Sequence, residues 1–439
     1  MPTYPDSSPL SRKLFERARK VMPGGNTRTT VYIDPFPIYA DRGEGCRVWD
    51  VDGNVYYDCI NNFTAMIHGY GQPEAVAAVA DQLPHGTAFG APTVSEIELA
   101  ELLVERLPSV DHIRFANSGT EGVMMAIKAA RAFTDRPKIV KIEGAYHGSY
   151  DFAEVSLDSS PANWGDLPVS TAYAKGTPQG VLSDVIAVPF NDAEALRAVF
   201  GAHGNEIAAV LIDPMPNRAG LIPARRDYLE ALVETAHAAG ALVIFDEVIS
   251  FRLGYSGAQG LWGITPDLTA LGKIIGGGFP VGAVAGRADV MAVFDPTRGK
   301  PALPHGGTFT ANPVTMRAGL AAMQALTPDM FAHLDRIGDQ LREGTNAALK
   351  KHGLPGQCVG LGSLFKVHFT TSPISDYRSV YPTQAERRKL DLFHKGLLDR
   401  GVLSASYGLF ALSTPMTEAD AANILAAIDD TLGAIAAQA

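Results

Sequence analysis

The chain has 439 residues, 46% of them hydrophobic and 19% charged, with 37 Lys and Arg against 47 Asp and Glu for a net charge of −10. That much apolar surface excludes a disordered or fibrous chain, and without a basic block longer than a few residues there is no track for nucleic-acid phosphates. Cys46, Cys59 and Cys358 lack metal-ligand spacing, no run of about 18 apolar residues would span a membrane, and Met1–Leu10 is too polar for a secretory signal, so a reduced, cytoplasmic compartment is expected.

The first ten residues read as a loose arm, and Leu14–Met22 as a short basic helix that stops before Pro23-Gly24-Gly25. Arg47–Asp50 and Val55–Asp58 flank Asp52-Gly53-Asn54, which reads as a hairpin. From about residue 65 to 310 helical and strand-like stretches alternate. Val123, Ala126, Ile127, Ala130 and Phe133 share one helix face. Short apolar runs follow at Ile139–Ile142, Val185–Val188, Ala208–Ile212, Leu242–Phe245 and Leu268–Leu271, with helical patterns such as Asp227–Ala239 between them. Such an order predicts a parallel or mixed sheet covered on both faces. A helix-rich tail begins after Asn312, and near its end Ile424, Ile428, Leu432 and Ile435 repeat at helical spacing behind Thr417, an N-cap candidate. The length suits one big domain and a smaller one. The expected division is a large domain over 65–312, with 1–64 and 313–439 folding together as the small one.

Five segments carry chemistry. Asp246 ends an apolar run, where open α/β sheets place their ligands. Lys273 ends the next such run and is followed by Ile274-Ile275-Gly276-Gly277-Gly278. A partly desolvated lysine there can lose its proton and act as a nucleophile. An Asp and a Lys on neighbouring strand ends suit a pyridoxal-phosphate site, in which the lysine holds the aldehyde as a Schiff base and the Asp pairs with the pyridinium nitrogen. A plain ion pair at the sheet edge accounts for the same two residues equally well. Ser118-Gly119-Thr120-Glu121 opens the helix described above and leaves hydroxyls and backbone N–H groups free, as a phosphate cradle does. Alone, it is also an ordinary cap. Gly144-Ala145-Tyr146-His147-Gly148 offers an aromatic ring to stack on a cofactor, or a turn with a buried Tyr. Gly306-Gly307-Thr308-Phe309-Thr310 offers a hydroxyl to a phosphate, or a plain loop.

In this order, Ser118-Gly119-Thr120-Glu121, Tyr146-His147-Gly148, Asp246-Glu247-Val248, Gly272-Lys273-Ile274-Ile275-Gly276-Gly277-Gly278 and Gly307-Thr308-Phe309 resemble the motifs of class III aminotransferases. The resemblance runs from Met22-Pro23-Gly24-Gly25 onward. Within the class, Ala258-Gln259-Gly260 and Thr265-Pro266-Asp267 are similar to the branch that holds glutamate-1-semialdehyde aminomutase and the β-phenylalanine aminotransferases. It implies the fold-type I architecture: an α/β large domain with a mostly parallel, seven-stranded-type sheet, plus a smaller α/β domain from both termini. It implies pyridoxal 5′-phosphate and no metal. Lys273 would be the Schiff-base lysine and proton shuttle, Asp246 the partner of the pyridine nitrogen, and Val248 and Tyr146 the two ring contacts. Ser118, Gly119 and Thr120 would bind the phosphate. The resemblance also implies a homodimer, with Thr308 reaching the phosphate of the other subunit.

Departures from the family refine this. Asp213-Pro214 stands where many relatives carry Glu-Pro, and Pro216 where they carry Gln. Asp246–Arg252 is one residue shorter than the aminomutase form, as in the β-phenylalanine enzymes, and Pro23-Gly24-Gly25-Asn26-Thr27-Arg28 resembles their N-terminal segment. There an arginine at the Arg28 position binds the substrate carboxylate, for which a guanidinium fork is suited. The second arginine of those enzymes is replaced by Ser404-Ala405-Ser406-Tyr407-Gly408. The expected activity is transfer of an amino group from an amino acid, by preference a β-amino acid, to a 2-oxo acid. The alternatives are a glutamate-1-semialdehyde 2,1-aminomutase, an amino acid racemase on the same scaffold, and a binding protein without catalysis.

Overall fold

Residues buried on both sides of a strand must be apolar in succession, and in the computed structural model, which describes residues 3–438, each short apolar run is a strand. The chain forms two units. One is built from Met1–Gln72, Ala332–Thr371 and Pro382–Ala439, the other from Pro73–Phe331 and Ser372–Tyr381.

In chain order the strands are β1 (Ala40–Glu44), β2 (Arg47–Asp50) and β3 (Val55–Asp58) in the first unit; β4 (His112–Ala116), β5 (Lys138–Ile142), β6 (Val185–Val188), β7 (Ile207–Ile212), β8 (Leu242–Asp246), β9 (Leu268–Gly272) and β10 (Gly282–Gly286) in the second; and β11 (Gln357–Leu361), β12 (Leu364–His368), β13 (Val402–Leu403) and β14 (Leu409–Ala411) in the first again. The second unit holds one seven-stranded sheet, ordered β4-β10-β9-β8-β7-β5-β6. It is parallel from β9 to β6, and β10 runs antiparallel to both β9 and β4. Ile139, Ala209, Leu211, Ile244 and Val284 face a layer containing Val123, Ala126, Ile127 and Ala130 of the helix Gly119–Thr134. Val140, Val210, Ile212, Val243 and Phe245, one residue out of step, face the opposite layer with Leu229 and Leu232 of the helix Arg226–Ala238. The strand period of two thus feeds two cores, which is why these strands show no polar alternation.

The first unit carries two small sheets, β1-β2-β3-β13 and β11-β12-β14. The expected hairpin is the antiparallel pair β2–β3. Thr417 caps the helix Glu418–Ala436 through a capping box with Asp420, and Ile424, Ile428, Leu432 and Ile435 are among its buried residues.

One expectation about elements needs correction. The first helix is Pro9–Ala18, not Leu14–Met22. Pro9 suits a first helical position, and the carboxylate of Asp52 accepts the N–H groups of Leu10 and Ser11, the latter at 2.9 Å. A cap supplied from forty residues away leaves no local signal. β10 was not expected, because Gly-Ala-Val-Ala-Gly has little apolar bulk. The units divide at 72/73, 331/332, 371/372 and 381/382. The helix Pro313–Ala325 packs on the helices Pro73–Gln82 and Val94–Arg106 and on the Lys273–Gly276 turn, with Arg317 and Asp81 paired at 2.8 Å. Among the described residues no helix is long and apolar enough to cross a membrane.

Candidate active site

Strand register builds the site. β7 and β8 align Ile212 with Phe245, so the next residues, Asp213 and Asp246, leave adjacent strands at the same level. β8 and β9 align Asp246 with Ala270, which places Lys273 just beyond the end of β9. Two carboxyls and an amine therefore converge at the carboxyl edge of the sheet.

Asp246 is buried. Its Oδ2 lies 2.7 Å from His147 Nδ1, and its Oδ1 accepts the Val248 N–H at 3.0 Å. Burial lowers the pKa of His147 despite the pull of Asp246, which favours the neutral ring. A carboxylate can only accept, so the hydrogen sits on Nδ1 and Nε2 is left as an acceptor. That Nε2 is buried and has no hydrogen-bond partner. Asp213 is also buried, and its Oδ1 accepts the Met215 N–H at 2.9 Å. Burial, then repulsion from Asp246, raises Asp213 to about 7. The Met215 N–H, then the Ser250 hydroxyl and the charge of Lys273, oppose that rise.

Lys273 adopts a left-handed backbone, φ 51°, at the start of the turn Lys273–Gly276. A non-glycine residue held there is strained, and such strain clusters at functional sites. Loss of solvation lowers its amine from 10.5 to about 8; Asp246 and Asp213 pull it up, and the Arg252 guanidinium pushes it down. It is thus a lysine with a substantial neutral fraction near neutral pH, as a nucleophile requires.

Ser118 is the N-cap of the sixteen-residue helix Gly119–Thr134, its Oγ accepting the Glu121 N–H at 3.2 Å. Close approach by glycine holds this end in place. A Cβ on Gly119 would lie 2.8 Å from Val248 Cγ1, and one on Gly272 would lie 3.3 Å from Gly119 Cα. The Thr120 hydroxyl accepts the Ser149 N–H at 3.2 Å, joining the cradle to the Gly144–Gly148 loop. The first helical N–H groups have no acceptor within their helix, so this end is anion-seeking.

Ser118, Gly119, Thr120, Val248, Asp246 and Lys273 thus lie within one unit around one sheet edge. Tyr146, next to His147, is 50% exposed and able to meet a ring. Thr308 is exposed in the loop whose Thr310 Oγ1 lies 3.3 Å from Asn117 Nδ2. Arg28 belongs to the other unit, where its Nη1 donates to Asn62 Oδ1 at 2.6 Å and its guanidinium lies 5.7 Å from the Phe63 ring centroid. Sequence reasoning gave His147, Asp213, Ser250 and Arg252 no role. Register is the signal that would have found Asp213, since it ends an apolar run as Asp246 does.

These groups fit pyridoxal phosphate. A lysine amine lowered to about 8, a buried carboxylate and the free N–H groups of a long helix match, in turn, its aldehyde, its ring nitrogen and its phosphate.

Residues 30–432 match the family model described as aminotransferase class-III. The chain is similar to the solved structure of an omega-transaminase from Sphaerobacter thermophilus, with a TM-score of 0.94 and 53% identity over 97% of each chain. It is 39% identical over 431 residues to the beta-phenylalanine transaminase of Variovorax paradoxus, covering 98% of this chain and 94% of that one. A glutamate-1-semialdehyde 2,1-aminomutase 2 from Bacillus licheniformis is 40% identical over 420 residues, 93% of this chain and 94% of its own length.

Proposed function

The chain belongs to the class III aminotransferases, and on that footing we propose that it moves an amino group from a β-amino acid, aromatic or aliphatic, to a 2-oxo acid in two half-reactions. It is a transaminase with the fold-type I architecture, and pyridoxal 5′-phosphate is its cofactor. The observation that supports this reading is the convergence of Asp246 and Lys273 on adjacent strand ends beside the Ser118–Thr120 helix end.

When bound, the cofactor supplies an aldehyde that takes up the amino group and a ring that accepts electrons from the donor's carbon. Ser118, Gly119 and Thr120 would hold its phosphate, and Val248 and Tyr146 would contact its ring. Asp246 would keep a proton on the ring nitrogen, while the His147 Nδ1–H orients that carboxylate and disperses its charge. Lys273 Nζ would take a proton from the amine-bearing carbon of the donor and give it up to the cofactor, then work in reverse on the acceptor. Its lowered pKa lets it do both near neutral pH. Arg28 receives the substrate carboxylate. A second copy of the chain completes each site, with Thr308 reaching the phosphate held by the other copy, and the enzyme works in the cytoplasm.

Aminomutation of glutamate 1-semialdehyde is the second reading, favoured by the Bacillus licheniformis relative. Half-reactions separate the two. Holoenzyme is mixed with α-, β- and ω-amino acids while the cofactor's absorbance is followed and the keto product is assayed. Spectral conversion with release of a keto acid from β-amino acids is the expected result. No release from any donor, with glutamate 1-semialdehyde rearranged instead, would establish the mutase.

A further inference from the structure

Residues Ser372–Tyr381 lie in the chain between two pieces of the first unit, yet belong to the second. Tyr377 is buried there and donates its hydroxyl to the Ser159 carbonyl at 2.8 Å. Its ring lies so close to Gly144, where φ is 73°, that no Cβ would fit. Arg378 reaches Glu143 with a fork: Nε to Oε2 at 2.7 Å and Nη2 to Oε1 at 3.3 Å. Its Nη1 donates to the Gly165 carbonyl at 2.8 Å, and its guanidinium stands 5.1 Å from the Trp164 ring centroid. Glu143 is 2% exposed and also accepts the Ser159 hydroxyl at 2.8 Å.

Glu143 is the residue just before Gly144-Ala145-Tyr146-His147-Gly148. The same turn is tied down from the strand side by Lys141, fully buried, whose Nζ donates to the carbonyls of Ile142, Ala145 and Val155 at 3.2, 3.1 and 2.8 Å. A turn at a strand end does not need a buried carboxylate and a buried ammonium, and each is costly to bury without partners. Here both are fully engaged behind the turn, while Tyr146 is left half-exposed and His147 is held against Asp246 at 2.7 Å.

We propose that Arg378 is a positioning residue for the cofactor site: through its fork on Glu143 it fixes the Gly144–Gly148 loop so that Tyr146 and His147 are already placed when pyridoxal phosphate arrives. This rests on the reading of the site as a pyridoxal-phosphate site. Pre-placement raises affinity because loop ordering is not left to the moment of binding. A lysine at 378 would keep a charge but not the fork.

The test uses cofactor-stripped full-length protein titrated with pyridoxal phosphate. Affinity is read from absorbance, and ring placement from the circular dichroism induced in the bound cofactor. Glu143→Gln and Arg378→Met should each bind at least about tenfold more weakly, the worth of one charge-assisted hydrogen bond, with a diminished induced signal. Arg378→Lys should recover part of both. Asp158→Asn breaks the neighbouring exposed pair with Arg218, 2.7 Å long, and should bind as the parent does. Should Arg378→Met not fold, Glu143→Gln decides, because it keeps the side chain's shape and leaves Arg378 partly in water. Parent affinity and parent dichroism in Glu143→Gln, even with a lower melting temperature, would overturn the proposal. Failure of the parent itself to bind the cofactor would instead overturn the reading of the site.

Discussion

Burial sets the working range of Lys273, and removing the charge of Asp246 should move it in a known direction. With an amine at about 8 instead of 10.5, about one Lys273 in ten is neutral at pH 7, against about one in three thousand for an ordinary lysine. The difference is about 300-fold in reactive amine. Asp246 and Asp213 both favour the protonated form. Asp246→Asn deletes the larger of these attractions, so the midpoint should fall further, by about one unit. The fall is tempered because Asp213, freed of repulsion from Asp246, carries more charge and attracts Lys273 more strongly. Reductive methylation of cofactor-free protein across pH 6–11, with peptide mass spectrometry of Lys273, reads the neutral fraction directly. Labelling should rise with a midpoint of about 8 in the parent and lower in Asp246→Asn. A midpoint near 10.5 in the parent, or an upward shift in the variant, would refute the reasoning.

Arg28→Ala should lower kcat/KM for carboxylate-bearing donors by roughly ten- to a hundredfold, the worth of a charge-assisted pair, and cost simple amines far less; equal losses would mean that Arg28 does not read the carboxylate. Arg28→Lys should recover only part. Gly282→Ala places a Cβ against the Ser118 carbonyl, so it should lower stability by about 1–3 kcal/mol and weaken pyridoxal-phosphate binding, both absent if the strand can shift freely. His394 is buried on the helix Gln384–Leu398, and its pKa is lowered by burial from 6.5 to about 4. The unfolded chain therefore binds the extra proton between those values, so stability is whole above about 6.5 and falls as pH drops toward 4. Urea unfolding should show about 2 kcal/mol lost between pH 7 and 5, less of it in His394→Gln; identical slopes would remove His394 from the account.

What the sequence made legible follows from how locally each feature is encoded. β5, β7, β8 and β9 were readable because both of their faces are buried and they carry continuous apolar runs. Lys273 and Asp246 were readable because each ends such a run. β10 was not, since Gly282 and Gly286 are demanded by the Ser118 and Asp267 carbonyls pressed against them, and glycine mimics a turn. The first helix was misplaced because its cap, Asp52, is remote. His147 stood in a recognised motif, but its partner lies 99 residues away, and the Glu143–Arg378 pair spans 235. Contacts of that range leave no spacing to read in one sequence.

The central claim is that Lys273 is the residue that holds and works the cofactor. Holoprotein reduced with borohydride, digested and sequenced by mass spectrometry tests it directly. The expected result is a pyridoxyl group on the Lys273 peptide, loss of the visible cofactor band on reduction, and neither in Lys273→Ala, which should still fold. A label on another lysine, or transamination by Lys273→Ala near the parent rate, would contradict it.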